Sequence, residues 1–129
     1  MENIGIIGTS FRDAGVESLP RFVLPNETRE QRLRQLAAEI GVQGLVYLST
    51  CNRVEIAFLG WPDVTIAEFR RRVFRALTGQ EPEAGEAEHH FKLWLGEGAV
   101  EHLFLTASGL KSAHVGEREI RDQISQALR

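Results

Sequence analysis

The chain contains one cysteine, Cys51, and its neighbours favour a nucleophilic thiol. Cys51 lies in the run Ser49-Thr50-Cys51-Asn52-Arg53, among hydrogen-bonding side chains and two residues before a fixed positive charge. Such surroundings favour the thiolate, which is the nucleophilic form and is suited to attack on an ester or acyl carbonyl. The alternative is that Cys51 is a small buried hydrophobic residue, as free cysteines most often are.

Arg53 and Glu55 form the second part of this candidate site. They begin a strand-like run, and side chains two residues apart on a strand point to the same side. We therefore expect Arg53 to bind a carboxylate while Glu55 orients it or holds a polar group of the substrate. The alternative is an exposed strand arginine paired with Glu55. Together with Cys51, the first interpretation indicates an acyl substrate that carries an acid group.

Patterns of apolar residues predict the elements that position Cys51. Two strand-like runs flank a polar stretch that is too short for a crossover helix, so Cys51 should lie at or near the turn of a hairpin. Helical spacing and glycine stops predict the helices, and an acidic segment with Pro82 and Gly85 predicts a loop over residues 80–88. The predicted strands are Ile4–Thr9, Gln43–Ser49, Val54–Leu59 and His90–Leu95. The predicted helices run from Asn26 to Gly41, from Pro62-Asp63 to Gly79, from Gly98 to Ala107 and from Gly116 to Arg129.

The order β, α, β, β, α, β predicts an α+β fold of the ferredoxin-like, split βαβ type. Helices should cover one face of an antiparallel sheet, with two extra helices at the C-terminal end. The length of 129 residues suits a single domain. The last helix ends on a half-used apolar stripe, which predicts that a further domain follows Arg129.

Composition narrows the classes of function. A net charge of −3 is not typical of a protein that binds nucleic acid through a broad basic surface, so any contact with RNA must be local. A lone cysteine forms no internal disulfide and no cluster has the spacing of a metal site, which favours a reducing cytoplasm and no metal. No apolar run approaches the roughly 20 residues that cross a bilayer, so no membrane partner is expected.

Two blocks of sequence resemble the N-terminal catalytic domain of the glutamyl-tRNA reductases. The first block is VQGLVYLSTCNRVEI, from Val42 to Ile56. The second begins AVEHLF at Ala99 and continues through ASGLKS and GEREI to Gln123. Their order and separation match the family, and the opening strand and loop fit it as well. The resemblance covers nearly the whole chain, and the pair of blocks is far more specific than either one alone.

The resemblance implies a function for Cys51. In this family the cysteine attacks the ester of glutamyl-tRNA and holds glutamate as a thioester, which NADPH reduces to glutamate-1-semialdehyde for tetrapyrrole and porphyrin biosynthesis. Arg53 would hold the glutamate carboxylate with Glu55 nearby. The remaining substrate-binding residues implied by the resemblance are Thr50, Ser112, Glu117 and Gln123.

The same resemblance implies further parts and partners. The family's NADPH-binding and dimerisation domains are absent from residues 1–129, and no glycine-rich fingerprint opens a helix after a strand, since no helix is predicted directly after Gly5-x-x-Gly8. The isolated domain should therefore not complete the reduction. The full-length protein would be a homodimer, with glutamate-1-semialdehyde aminomutase as a channelling partner.

Three positions depart from the family pattern. Trp94 and Phe11 stand where the family has histidines, and Lys111 stands where it has aspartate. Either another histidine compensates, with His114 as the preferred base over His89 and His90, or the chain is a divergent paralogue with an altered substrate. In that second case it would act as a non-catalytic module that binds tRNA or a protein partner.

Several other residues have structural interpretations. His102 lies in the helix of the second block and is interpreted as structural, and His89 and His90 as the exposed start of a strand. The run Arg70-Arg71-Arg72 is interpreted as the solvated face of a helix in preference to a tRNA contact. Trp61 and Trp94 are interpreted as packing residues.

Overall fold

The computed structural model describes residues 3–15 and 17–106, which form an antiparallel sheet with helices on both faces. The strands are β1 (Ile4–Ser10), β2 (Gly44–Ser49), β3 (Arg53–Leu59) and β4 (Lys92–Leu95). The helices are α1 (Phe11–Ala14), α2 (Arg29–Ile40), α3 (Ile66–Thr78), α4 (Glu86–His90) and α5 (Glu97–Thr106). Short 3₁₀ turns occupy Leu19–Phe22 and Asn26–Thr28.

The sheet has the strand order β2-β3-β1-β4, and every neighbouring pair is antiparallel. This is the order expected when two βαβ units interleave, with α2 joining β1 to β2 and α3 leading from β3 towards β4. The predicted α+β, ferredoxin-like class is therefore confirmed, but the prediction that helices cover only one face was wrong, because α5 contacts the face opposite α3. The central strands are β1 and β3, so residues on β3 have strand neighbours on both sides.

Strand register divides the side chains between two faces, because directly paired residues point to the same side. One row of partners contains Leu48, Glu55, Gly8 and Lys92, and the next contains Val46, Ala57, Ile6 and Trp94. We call this side the Glu55 face. The alternate residues of each strand, including Tyr47, Ile56 and Phe58, point to the opposite side, which we call the packed face.

The packed face is closed by α3 and by the segment before α2. The ring centroid of Phe69 on α3 lies 4.9 Å from that of Phe58, and both side chains are buried. The hydroxyl of Tyr47 accepts a hydrogen bond from the Leu24 backbone N–H at 2.9 Å and donates one to the Phe22 carbonyl at 3.2 Å. Burial raises the pKa of Tyr47 because it disfavours the phenolate.

Helix ends follow the expected signals, although two helices begin later than predicted. Thr65 is the N-cap of α3, with its hydroxyl accepting from the Glu68 N–H at 3.1 Å. Gly41 and Gly79 end α2 and α3 in the left-handed conformation that glycine adopts easily. Residues after Asn26 first form a 3₁₀ turn, so α2 starts at Arg29.

Two local predictions were wrong, and a third is not tested. Residues 86–90 form α4 and not the end of a loop and the start of a strand, so β4 begins only at Lys92. The four-residue helix α1 directly follows β1, where no helix was predicted. The predicted helix from Gly116 to Arg129 lies outside the described residues.

The described residues also bear on membrane association. Within residues 3–15 and 17–106, no helix has the length and apolar character required to cross a bilayer.

Candidate active site

Cys51 lies at the tip of the β2–β3 hairpin, as the sequence predicted. The Thr50 N–H donates to the Arg53 carbonyl at 2.9 Å and closes the turn. The Thr50 hydroxyl accepts from the backbone N–H groups of Asn52 and Arg53, each at 3.2 Å. Cys51 itself is exposed, so it is not a core residue. Thr50 therefore fixes the backbone on both sides of an accessible thiol.

The hairpin tip is also tied to the end of β1. Ser10 pairs with Arg53 across the strands, and the next backbone N–H, that of Phe11, donates to the Asn52 carbonyl at 2.9 Å. Asp13 on α1 accepts from the Ser10 hydroxyl at 3.1 Å and forms an ion pair with Lys92 at 3.4 Å. These contacts hold α1 beside Cys51, and the Phe11 side chain is 42% exposed there.

Arg53 and Glu55 lie on the same side of β3, as predicted. Arg53 Nη1 is 3.8 Å from Glu55 Oε1, which is ion-pair distance but too long for a hydrogen bond. The two side chains differ in burial, since 42% of Arg53 is exposed and only 6% of Glu55. Arg53, two residues after Cys51, is therefore partly exposed, while Glu55 is buried in the sheet.

His102 is the residue that sequence reasoning missed. Its Nε2 lies 2.7 Å from Glu55 Oε2, which is hydrogen-bond distance. Trp94 on β4 stacks on the imidazole of His102 with ring centroids 3.8 Å apart and planes 11° from parallel. The contact arises because α5 follows β4 and lies against β1 and β4, within reach of Glu55, while the interpretation of His102 as structural stays a prediction.

Gly8 makes room for the Glu55 side chain. It pairs with Glu55 across β1 and β3. A Cβ atom at Gly8 would lie 2.6 Å from Glu55 Cγ and 2.8 Å from the Val54 carbonyl oxygen. Such distances are below van der Waals contact, so any larger residue would displace Glu55 or the strand.

His89 and His90 do not reach this site. Both lie on α4, and the ring of buried His90 is 5.5 Å from that of Phe22 and 6.3 Å from that of Phe74. Burial lowers the pKa of His90, with a smaller contribution from the neighbouring His89. The backbone N–H of Glu83, with help from Arg21, lowers the pKa of Glu86 on the same short helix. The prediction that His89 and His90 open a strand was wrong.

Several predicted site residues cannot be placed. Ser112, His114, Glu117 and Gln123, as well as Lys111, lie outside the described residues, so their roles stay predictions. In the described part of the chain, no group of three His, Cys, Asp or Glu side chains is arranged to hold a metal ion.

The arginines of α3 have partners within the protein. Arg71 and Arg75 both contact Glu81, at 3.4 and 3.0 Å, and Arg75 also lies 3.9 Å from Glu68. Arg70 donates to the Phe91 carbonyl at 3.2 Å. These contacts favour the interpretation of the run as a structural, solvated helix face.

The fold and the hairpin tip define a ferredoxin-like α+β domain that presents an exposed thiol beside an arginine. The sequence matches the family model described as the N-terminal domain of glutamyl-tRNAGlu reductase over residues 7–129. The chain belongs to this family.

Individual relatives agree with this assignment. The chain is 35% identical over 129 residues to a glutamyl-tRNA reductase of Parasynechococcus marenigrum (strain WH8102), covering 98% of this chain and 29% of the relative. It is 38% identical over 133 residues to that of Nitratidesulfovibrio vulgaris (strain DP4), covering 98% of this chain and 28% of the relative. The solved glutamyl-tRNA reductase from Methanopyrus kandleri superimposes with a TM-score of 0.57 at 28% identity, over 99% of this chain and 28% of that one. The chain thus corresponds to less than one third of each of these proteins.

Proposed function

We propose that Cys51 accepts the glutamyl group of glutamyl-tRNA as the first step of NADPH-dependent reduction to glutamate-1-semialdehyde. The observation that carries the proposal is the exposed thiol of Cys51 at the hairpin tip, with Arg53 beside it on the next strand. Membership of the glutamyl-tRNA reductase family supports the choice of substrate. The product would enter tetrapyrrole and porphyrin biosynthesis.

The proposed step is an acyl transfer that needs no oxidant. The Cys51 sulfur attacks the ester carbonyl of glutamyl-tRNA and forms a carbon–sulfur bond. The bond between that carbonyl carbon and the tRNA ribose oxygen breaks, and the ribose oxygen takes the proton that the thiol gave up. The products are a glutamyl thioester on Cys51 and free tRNA, and covalent catalysis of this kind divides one difficult reaction into two easier ones.

Arg53 is the proposed binding group for the glutamate carboxylate. Its side chain is 42% exposed and lies too far from Glu55, at 3.8 Å, for a hydrogen bond, so its N–H donors can serve a substrate. A guanidinium binds a carboxylate with two parallel hydrogen bonds, which fixes orientation as well as position. Thr50 supports the pocket by fixing the hairpin turn, and Ser112, Glu117 and Gln123 are proposed to complete it.

The described residues do not fit NADPH. Gly5 and Gly8 lie inside β1, where Phe58 covers the Cβ position of Gly5 and Glu55 covers that of Gly8. Both glycines therefore serve packing and neither opens a phosphate-binding turn. We propose that NADPH binds to another domain of a longer protein, so this chain alone forms the thioester without reducing it.

The wider assembly follows from the same proposal. A longer protein of this family would be a cytoplasmic homodimer, and glutamate-1-semialdehyde aminomutase would be its channelling partner because the aldehyde product is reactive.

Intact mass spectrometry tests the proposal directly. The chain is incubated with glutamyl-tRNA, and a covalent glutamyl adduct is expected that hydroxylamine removes, as it does other thioesters. Cys51→Ser should lose the adduct and Arg53→Gln should reduce its rate of formation, whereas Arg71→Gln, which removes an equal charge on α3, should not. Addition of NADPH should yield no semialdehyde from this chain.

The alternative function is a binding module that keeps the fold without catalysis. Trp94 and Phe11, at positions where the family resemblance predicts histidines, favour it. Absence of an adduct while the tRNA ester survives would support the module and contradict the acyl transfer. Semialdehyde formed by this chain with NADPH would contradict the proposed division of labour between domains.

A further inference from the structure

We propose that Phe11 forms a nucleobase subsite beside Cys51 and stacks on the terminal adenine of the tRNA acceptor end. The inference rests on the proposed function in taking glutamyl-tRNA as the ligand. It concerns the part of the substrate that leaves, whereas Arg53 is proposed to hold the glutamyl group.

Phe11 differs in burial from the other phenylalanines. It is 42% exposed, whereas the others with described side chains are no more than 2% exposed. Those others are Phe22, Phe58, Phe69, Phe74 and Phe91. In the described part of the chain, no aromatic ring and no cation packs on Phe11. Much of its ring is therefore open to a ligand.

Backbone hydrogen bonds fix Phe11 next to the proposed nucleophile. Its N–H donates to the Asn52 carbonyl at 2.9 Å, and Asn52 directly follows Cys51. Its carbonyl accepts from the Gly15 N–H at 2.9 Å, at the end of α1. An exposed ring is thus held beside an exposed thiol on a constrained backbone, which reduces the entropy that is lost when a ligand binds.

The chemistry of the ligand matches this arrangement. In an aminoacyl-tRNA only the ribose separates the ester from the base of the terminal adenosine. A carbonyl that reaches Cys51 therefore brings the adenine close to Phe11. Every base has a flat face that stacks on an aromatic ring without a hydrogen bond. A phenyl ring suits this task because it has no polar group of its own to satisfy.

Arg12 supplies a charge that complements the phosphate of the same nucleotide. It is exposed and has no ion-pair partner among the described residues, whereas Asp13 on the same helix is paired with Lys92 at 3.4 Å. The cation of α1 is therefore not neutralised, although the chain as a whole has a net charge of −3. A contact with RNA at this point would be local, as the overall charge requires.

Fluorescence anisotropy measures the subsite without acyl transfer. The probes are two labelled oligonucleotides, one ending in CCA and one identical except that the terminal base is missing. Phe11→Ala should weaken binding of the CCA oligonucleotide by about five- to thirtyfold, as expected for loss of one base–aromatic stack. Binding of the abasic oligonucleotide should not change. Phe11→Trp keeps an aromatic face and should retain the preference for CCA, whereas Phe11→Leu should lose it.

Arg12→Gln separates the contribution of charge from that of stacking. It should weaken binding of both oligonucleotides by the same factor. It should also make the slope of log affinity against log salt shallower by about 0.7, the value for one phosphate contact on a single strand. Arg71→Gln, which removes an equal charge on α3, should change neither quantity.

Alkylation of Cys51 shows where the bound end lies. Cys51 is the only cysteine, so its reaction with iodoacetamide can be followed by mass. The CCA oligonucleotide should slow this reaction in the native chain. Phe11→Ala should need about five- to thirtyfold more of the oligonucleotide for the same protection, because its affinity is lower by that factor.

The preference for the terminal base decides the inference. If Phe11→Ala weakens both oligonucleotides equally, or neither, the inference is overturned and the exposed ring is assigned to packing against another part of a longer protein. If Phe11→Ala does not fold, Phe11→Leu, which keeps an apolar side chain, provides the same comparison. A preference for CCA that depends on Phe11 but is not accompanied by a glutamyl adduct would overturn the acyl transfer and leave the subsite standing. A normal adduct with no preference for the terminal base would do the reverse.

Discussion

The two faces of the sheet use the same strands for different purposes. On the packed face, alternate residues such as Tyr47 and Phe58 meet α3 and the segment before α2, and their polar atoms are satisfied by backbone groups. On the Glu55 face, a buried carboxylate meets His102 and Arg53. Each side also contains a histidine of low exposure, and the one on the Glu55 face, His102, lies 2.7 Å from a carboxylate oxygen of Glu55.

Neighbouring residues on the same strand thus serve different purposes: one packs the core and the next lies in the candidate site. Val54 and Ile56 flank Glu55 on β3 and point to the packed face, so a shift by one position would bury the arginine and expose the core. The hairpin turn at Thr50 and Arg53 fixes that register. Changes on the two faces should therefore have separable effects.

The largest expected effect is on the packed face. Phe69→Ala removes a fully buried ring that lies 4.9 Å from Phe58 and 4.6 Å from Trp61, and should lower the free energy of unfolding by about 3–5 kcal/mol. Urea denaturation measures this loss. Ile66→Ala on the same helix, where the side chain is 45% exposed, should change stability by roughly 0.5 kcal/mol or less.

The alkylation ratio at Cys51, which is its rate of reaction with anionic iodoacetate divided by that with neutral iodoacetamide, sharpens this test. In conditions where Phe69→Ala is still folded, this ratio should equal that of the native protein. A changed ratio would mean that the two faces are coupled and that the separation fails.

A smaller effect is expected from Gly8→Ala on the Glu55 face. The new Cβ would lie 2.6 Å from Glu55 Cγ, and the strain should cost about 1–3 kcal/mol of unfolding free energy and lower the alkylation ratio. Gly44→Ala is the matched control, because β2 has open space around that position, and it should be neutral or stabilising by about 0.5–1 kcal/mol. Equal stability of the two variants would show that Glu55 does not need the space at Gly8.

These contrasts also explain how far the sequence could predict the molecule. The class of fold, the hairpin and the shared side of Arg53 and Glu55 follow from local periods of two and 3.6 residues. The helix α4 could not be predicted, since its five residues are too few for a period and it begins after Gly85 in an acidic segment. The contact of His102 with Glu55 depends on which face of the sheet α5 covers, and no local pattern contains that information.

The smallest expected effect is on the pH dependence of stability, and it comes from His90 on the packed side. Burial lowers the pKa of His90, so the unfolded chain binds a proton on this residue at a higher pH than the folded chain does. The contribution of neutral His90 to stability is thus fully present above the ordinary histidine pKa of about 6.5 and is lost as pH falls through the lower folded value. Neighbouring Arg21 and His89 act in the same direction, whereas Glu86 opposes it.

His90→Phe keeps a ring against Phe22 and Phe74 but removes the titrating group. Urea midpoints measured from pH 8 to pH 5 should therefore fall less steeply for the variant than for the native protein. Parallel curves would show that His90 has no excess cost when protonated. The predicted divergence would instead mean that buried His90 makes the native protein less stable as pH falls, because the attraction of Glu86 does not offset the cost of burying a charged imidazole.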